Sequence, residues 1–158
     1  MEKKKTNIIK PVIKQPEKLL SYIDFFKNIR EEDYIIYADG HQFSYTQNFL
    51  EFIQQLHDSN MVEHYDHLIQ SLTKYPEDDE ARCEAFSGWM RELNRTLSRP
   101  CDLRQADICF LRKAFLTHIR MEKIFPGSWG IDVETGTWIK LLNQFKKLYN
   151  AGKVNTAS

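Results

Sequence analysis

The chain has 158 residues, with 22 basic and 22 acidic side chains and no formal net charge. At this length one core can bury roughly 70% of the surface the unfolded chain exposes, and ten Phe, seven Tyr and three Trp supply bulky material for it. Balanced charge excludes disorder driven by like-charge repulsion, and the lack of an overall basic excess argues against a dedicated nucleic-acid binder.

Residues 1–16 carry five Lys and one acid, broken by Pro11 and Pro16, and read as a flexible basic arm. From Glu17, Leu19, Leu20, Ile23 and Phe26 recur at helical spacing. Tyr34–Tyr45 changes period and reads as a small β-hairpin around Asp39-Gly40, with His41 at its tip. Thr46 is the expected N-cap of a helix holding Phe49, Leu50, Phe52, Ile53 and Leu56. A break at Asp58-Ser59-Asn60 leads to a short helix with Val62, Tyr65, Leu68, Ile69 and Leu72.

After Pro76, the acids Glu77-Asp78-Asp79-Glu80 suit the positive end of the next helix. Phe86, Met90, Leu93 and Leu97 form its expected apolar stripe, with Trp89 beside it, while Arg91, Arg95 and Arg99 recur along another face. Those arginines suit the helix dipole and pairing with acids, or the grip of phosphates. The following helix is expected after Pro100, with Asp102 and Gln105 as a capping box. Its apolar positions Ile108, Leu111, Phe115 and Ile119, widened by Phe110, Ala114 and Leu116, predict a central helix covered on more than one side. A last helix, from about Asp132 or Thr135 to Tyr149, would bury Trp138, Leu141, Leu142, Phe145 and Leu148. Residues 151–158 read as a flexible tail.

The expectation is therefore mainly α, a bundle of about six helices with a small β-hairpin near residues 34–45. One domain would span residues 17–150. Cys83, Cys101 and Cys109 are odd in number and contain no C-x-x-C pair, which suits a reducing cytosol. Met1-Glu2-Lys3-Lys4-Lys5-Thr6 lacks the apolar region of a signal peptide, and no apolar run approaches a membrane span. The expected setting is cytoplasmic, with no membrane partner.

Zero net charge conceals a segregation. Residues 17–80 carry four basic and fourteen acidic groups, whereas residues 81–123 carry nine basic and five acidic. Either the two parts face each other within the domain, or the basic part serves an acidic partner.

The segment Arg120–Leu142 gathers Arg, Glu, Lys, two Trp and three Gly around a Pro-Gly turn. Arg120 and Glu122 are two residues apart, which places them about 160° apart on a helix and rules out a side-by-side dyad. Glu122 falls on the apolar arc, as does Arg112, about 15 Å away along the axis. An inward acid needs a partner, here either an Arg of the helix over 77–99 or the N–H groups of the Pro126–Gly130 loop. His64 and His67 share a helix face near His57, yet H-Y-D-H lacks the built-in base of H-E-x-x-H. No Walker A loop, G-x-G-x-x-G or G-x-S-x-G occurs, and His118 has no Ser or Cys nucleophile at motif spacing. Nothing calls for a cofactor or a metal.

In Arg120, Glu122, Lys123, Gly127 and Gly136, followed by Ile139, Leu142 and Phe145, the chain resembles an uncharacterised prokaryotic domain-of-unknown-function family with the pattern R-x-E-[RK]-x-x-x-G…G-[TI]. The resemblance extends over most of residues 17–148, through Leu19–Ile23, Phe49–Ile53 and Tyr65-Asp66. Lys123-Ile124 departs from the family's Arg-Phe, and the resemblance implies a folding unit without an activity. The function expected is an intracellular protein-interaction or regulatory module, in the style of a small accessory protein of a mobile element or phage. A protein partner or a homo-oligomer would meet a surface comprising Arg91, Arg95, Arg99, Arg120, Glu122, an exposed Trp129 and Trp138. Two alternatives stand beside it: a nucleic-acid binder using Arg91, Arg95, Arg99, Lys113 and Arg120 on one face, and an enzyme with Glu122 in a pocket.

Overall fold

Helix starts follow the short polar residues that precede them. In the computed structural model, which describes residues 11–39 and 42–157, Thr46 caps α4 (Gln47–Asp58). Its Oγ1 accepts the Phe49 N–H at 3.2 Å and donates to the Asp33 carbonyl at 2.7 Å, so one hydroxyl fixes both the helix and the chain before it. Asp78 accepts the Glu80 and Ala81 amides at the start of α6 (Asp79–Ser98). The helix expected directly after Pro100 is divided. A single turn, α7 (Pro100–Leu103), precedes α8 (Ile108–Ile124), whose cap is Asp107 rather than Asp102. The Asp107 carboxylate takes the Phe110 N–H at 2.9 Å.

The chain is mainly α with a small hairpin, β2 (Ile35–Asp39) against β3 (Gln42–Tyr45), pairing Ile35 with Tyr45. Helical segments outnumber the expected six because short ones intervene: α1 (Pro16–Leu20), α2 (Tyr22–Lys27), α3 (Glu31–Tyr34), α7 and α9 (Ser128–Glu134). A helix of one or two turns is too short to display a 3.6-residue period. The short helix expected around Tyr65 and the last helix are each found as one element, α5 (Tyr65–Leu72) and α10 (Thr137–Asn150). His41 and residues 1–10 lie outside the described residues. No described helix is long and apolar enough to cross a membrane.

The core centres on Trp138, which is fully buried. Its ring meets Phe52 at 5.4 Å and Phe49 at 6.2 Å, both edge-on, and stacks parallel to Phe115 at 6.4 Å. Aromatic pairs in such geometries add about 0.5–1.5 kcal/mol each beyond area burial. The central position of α8 holds: Leu111, Ala114, Phe115 and Leu116 are all buried. On α6 the inward face is Trp89, Leu93 and Thr96, whereas Phe86, Met90 and Leu97 are half-buried. The stripe is rotated because the Trp89 indole N–H reaches the buried Thr117 hydroxyl at 2.8 Å.

Arg112 occupies the apolar arc of α8 by carrying its own set of acceptors. Its guanidinium donates to the Asn60 carbonyl at 2.9 Å, the Asn60 side-chain oxygen at 3.2 Å, the Val62 carbonyl at 3.3 Å and Glu63 at 3.2 Å. The turn it grips contains Asn60 at φ 65, a left-handed conformation that Asn tolerates. Burial alone would raise the Glu63 carboxyl, but the His64 amide and then Arg112 outweigh it and hold the group below the usual carboxylate range.

Residues read as arm and tail hold paired strands. β1 (Val12–Lys14) runs parallel to β4 (Asn155–Ala157), with Ile13 opposite Thr156. Ile13 is fully buried, the Lys14 N–H donates to the Ser59 carbonyl at 2.9 Å, and Asn60 Nδ2 donates to the Val12 carbonyl at 3.1 Å. Three-residue strands carry no readable alternation, which hid them. Ile13→Ala should therefore cost ~2–4 kcal/mol of stability in urea unfolding, whereas a flexible arm would register no change.

Candidate functional site

The junction of α8 and α9 carries the segment singled out by composition. α8 ends at Ile124, and Gly127 at φ 97 reverses the chain into α9, a conformation costly for any residue with a Cβ. Glu122 faces this reversal. Its Oε2 accepts the Gly127 N–H at 2.9 Å, and its Oε1 accepts both the Trp129 N–H and the Tyr45 hydroxyl at 2.9 Å. Of the two expected partners for this acid, the loop amides are the ones found. With three donors on one carboxylate, Glu122 acts as a staple between α8, α9 and the hairpin. Burial, reinforced by the hydrogen bond to Glu122 and its charge, raises the Tyr45 hydroxyl far above the usual phenol range.

Two tryptophans expected at a working surface are instead structural. Trp129 is half-buried rather than exposed: its indole N–H donates to the Ile119 carbonyl at 3.2 Å, and its ring lies 5.4 Å from Tyr45 and 5.9 Å from Phe49. Trp138 lies wholly inside, its indole N–H on the Trp129 carbonyl at 3.1 Å. An indole buried with its one donor satisfied is core, and no partner reaches it.

Arg120 turns the other way. Its guanidinium lies over the Tyr65 ring at 3.9 Å, and Arg82 approaches the same ring at 5.9 Å. These three, with Phe86, Met121 and Ile124, line an open groove of about 600 Å³ between α6 and the end of α8. Beyond it the turn exposes Ile124 (61%), Phe125 (60%) and Ile131 (58%), large apolar side chains left in water.

Arg91, Arg95 and Arg99 are exposed, as their spacing implied. Arg95 and Arg99 line a separate cavity of about 560 Å³, interleaved with Glu92, Asp102 and Asp107. Arg99 lies 4.0 Å from Asp102. Arg120 does not join this stripe: its neighbour Arg82 lies about 180° around α6 from Arg91. The expected single basic face is therefore two separate places.

His57, His64 and His67 are exposed, with the His64 and His67 rings edge to face at 5.4 Å and His67 Nδ1 3.4 Å from Glu63. Among the described residues no three His, Cys, Asp or Glu side chains converge as a metal set. A pair that sequence reasoning missed lies deeper. His118 Nδ1 is 2.9 Å from Asp132 Oδ2, both side chains are buried, and His118 Nε2 has no hydrogen-bond partner among the described residues. No spacing rule pairs residues across a turn whose reversal is itself unread, so nothing in the sequence pointed to it.

Comparison with known proteins returned no matching family model, no matching curated protein and no matching solved structure.

The staple predicts specific energetics. Glu122→Gln leaves one amide facing a donor and should cost about 1–3 kcal/mol, Tyr45→Phe about 1 kcal/mol. The two substitutions act on one hydrogen-bond network, so a urea-unfolding cycle should show their costs to be non-additive. The pH response follows in sign. The folded chain holds the Tyr45 proton more tightly than the unfolded chain, whose phenol has its ordinary value of 10.0. That contribution is complete below the ordinary value and is lost as pH rises through the folded one. Unfolding free energy should thus fall less steeply above pH ~10 in Tyr45→Phe than in the wild type.

Proposed function

We propose that the chain is an intracellular protein-interaction or regulatory module whose working surface is the α8–α9 turn and the groove beside it. The observation that carries this reading is the exposure of Ile124 and Phe125 at the end of α8 and of Ile131 on the α9 that follows. Single exposed apolar residues are ordinary, but several at one place mark a contact surface. The turn beneath them is held by the Glu122 staple and the Trp129 anchor. A partner would meet an already ordered surface, and little ordering entropy would oppose binding. Glu122 already accepts from three donors, on a carboxylate with about four acceptor sites, which favours a structural role over that of a general base. The Arg91–Arg99 stripe is interleaved with acids, which weakens it as a phosphate track.

Photo-crosslinking side chains placed at positions 125 and 131 should each give the same discrete protein adduct in the producing cells. The same probe at the exposed Lys146 should give none. Purified wild-type chain should compete the adduct away, and the Phe125→Ser, Ile131→Ser double variant should not. Both substitutions are at exposed sites and should change stability by less than about 0.5 kcal/mol each. Absence of an adduct, together with DNA or RNA binding at low salt that Arg91→Ala, Arg95→Ala and Arg99→Ala abolish, would replace this reading with the nucleic-acid one.

A further inference from the structure

The groove between α6 and α8 has a chemistry of its own. The Arg120 guanidinium carbon lies over the Tyr65 ring, 3.9 Å from its centre, so the face of the ring attracts the cation and holds it in place. A cation–π contact uses none of the guanidinium's N–H donors, and their planar fork can receive a carboxylate bidentately. Among the described residues no carboxylate lies within ion-pair reach of Arg120. Arg82, over the same ring, has only Asp79 at 3.9 Å, and that carboxylate is almost wholly in water. Phe86, Met121 and Ile124 give the groove an apolar wall, while Asp79, Cys83 and Ser87 line the remainder, and Phe125, next to Ile124 in the chain, is exposed.

The charge distribution of the whole chain agrees. If the acidic part (17–80) served to neutralise the basic part (81–123), ion pairs would cross between them. Among the described residues two Arg–carboxylate pairs do: Arg112 with Glu63, which joins distant parts of the chain, and Arg82 with Asp79, three residues apart astride the boundary. The other Lys and Arg pairs each lie within one part: Lys27–Asp24, Arg30 with Glu32 and Asp33, and Arg99–Asp102. Among the described residues the basic part thus keeps cations, Arg120 among them, that no acidic side chain takes up.

We infer that the Tyr65–Arg82–Arg120 groove is a docking site for an acidic peptide segment of a partner protein, in which a carboxylate side chain sits beside a bulky apolar one. The carboxylate is received by Arg120 and by Arg82, and the apolar neighbour lies against Phe86, Met121 and Ile124. This rests on the interaction reading above and names the class of partner. Charge complementarity selects the acid, and the apolar wall distinguishes a peptide from a bare anion. Arg120 is exposed and caps no helix, so its removal leaves the fold intact.

Random twelve-residue peptides displayed against the full chain provide the test. Enriched peptides should carry Asp or Glu within two positions of Leu, Ile, Met or Phe. Their synthetic versions should bind at least tenfold more weakly to Arg82→Ala, Arg120→Ala, with circular dichroism unchanged. Arg120→Lys should recover only part of the loss, because an ammonium keeps the charge without the planar fork. Rising NaCl should weaken binding. Peptides that bind the double Arg variant as well as the wild type, yet fail on Phe125→Ser, Ile131→Ser, would overturn the groove while leaving the interaction reading standing. Neutral or basic peptides would overturn it equally, and no enrichment at all would remove both. Sedimentation of the wild type as a dimer that the Arg variant dissociates would give the groove to a second copy of the chain and overturn the peptide assignment.

Discussion

Three pieces of chain meet on one carboxylate. Glu122 receives the amides of Gly127 and Trp129 and the hydroxyl of Tyr45, and so fixes the end of α8, the start of α9 and the hairpin at once. An inward acid near a helix end is a liability in isolation, since an unpaired buried charge costs several kcal/mol. Here the reversal of the chain supplies the donors. Trp129 is then positioned to donate to Ile119 and to accept from Trp138, and the central tryptophan is held in register by a backbone that the acid has already ordered. The same arrangement leaves Arg120 without a helix neighbour to neutralise it, and it turns outward to Tyr65.

Buried polar groups elsewhere obey the same rule of local satisfaction. Arg112 brings four acceptors to one guanidinium and clamps the turn over 60–63 to α8. Gln144 donates to the carbonyls of Arg104 and Ala106, tying α10 to the irregular stretch between α7 and α8. The His118–Asp132 pair satisfies one ring nitrogen and leaves the other bare in the core. These contacts join long helices to short connections, where apolar packing alone specifies little.

Much of the architecture could be read from residues whose effect is local. Thr46 announced its helix because a cap acts within three residues, and the acids over 77–80 announced the start of α6 through its dipole. The breadth of the apolar surface from Ile108 to Ile119 announced a buried α8 because its period is long enough to count. The wheel separated Arg120 from Glu122 correctly, and the partners followed in part. Long-range placements were not legible. α9 hides in a Gly-rich stretch, and once it exists Trp129 is turned inward and Asp132 reaches His118. β1 and β4 hide in three residues each. In every such case the deciding contact lies across a chain reversal, and no periodicity records it.

The parallel pairing of Val12–Lys14 with Asn155–Ala157 has a consequence for the order of assembly. A chain made from its N-terminus exposes Ile13 almost at once, yet the strand beside it is among the last described residues to be synthesised. Closing so long a loop is slow, because its entropy must be lost before the pairing returns anything. The helices between can gather around Trp138 while this first strand waits. Of the described elements β1 is made first, and the strand that pairs with it is made last.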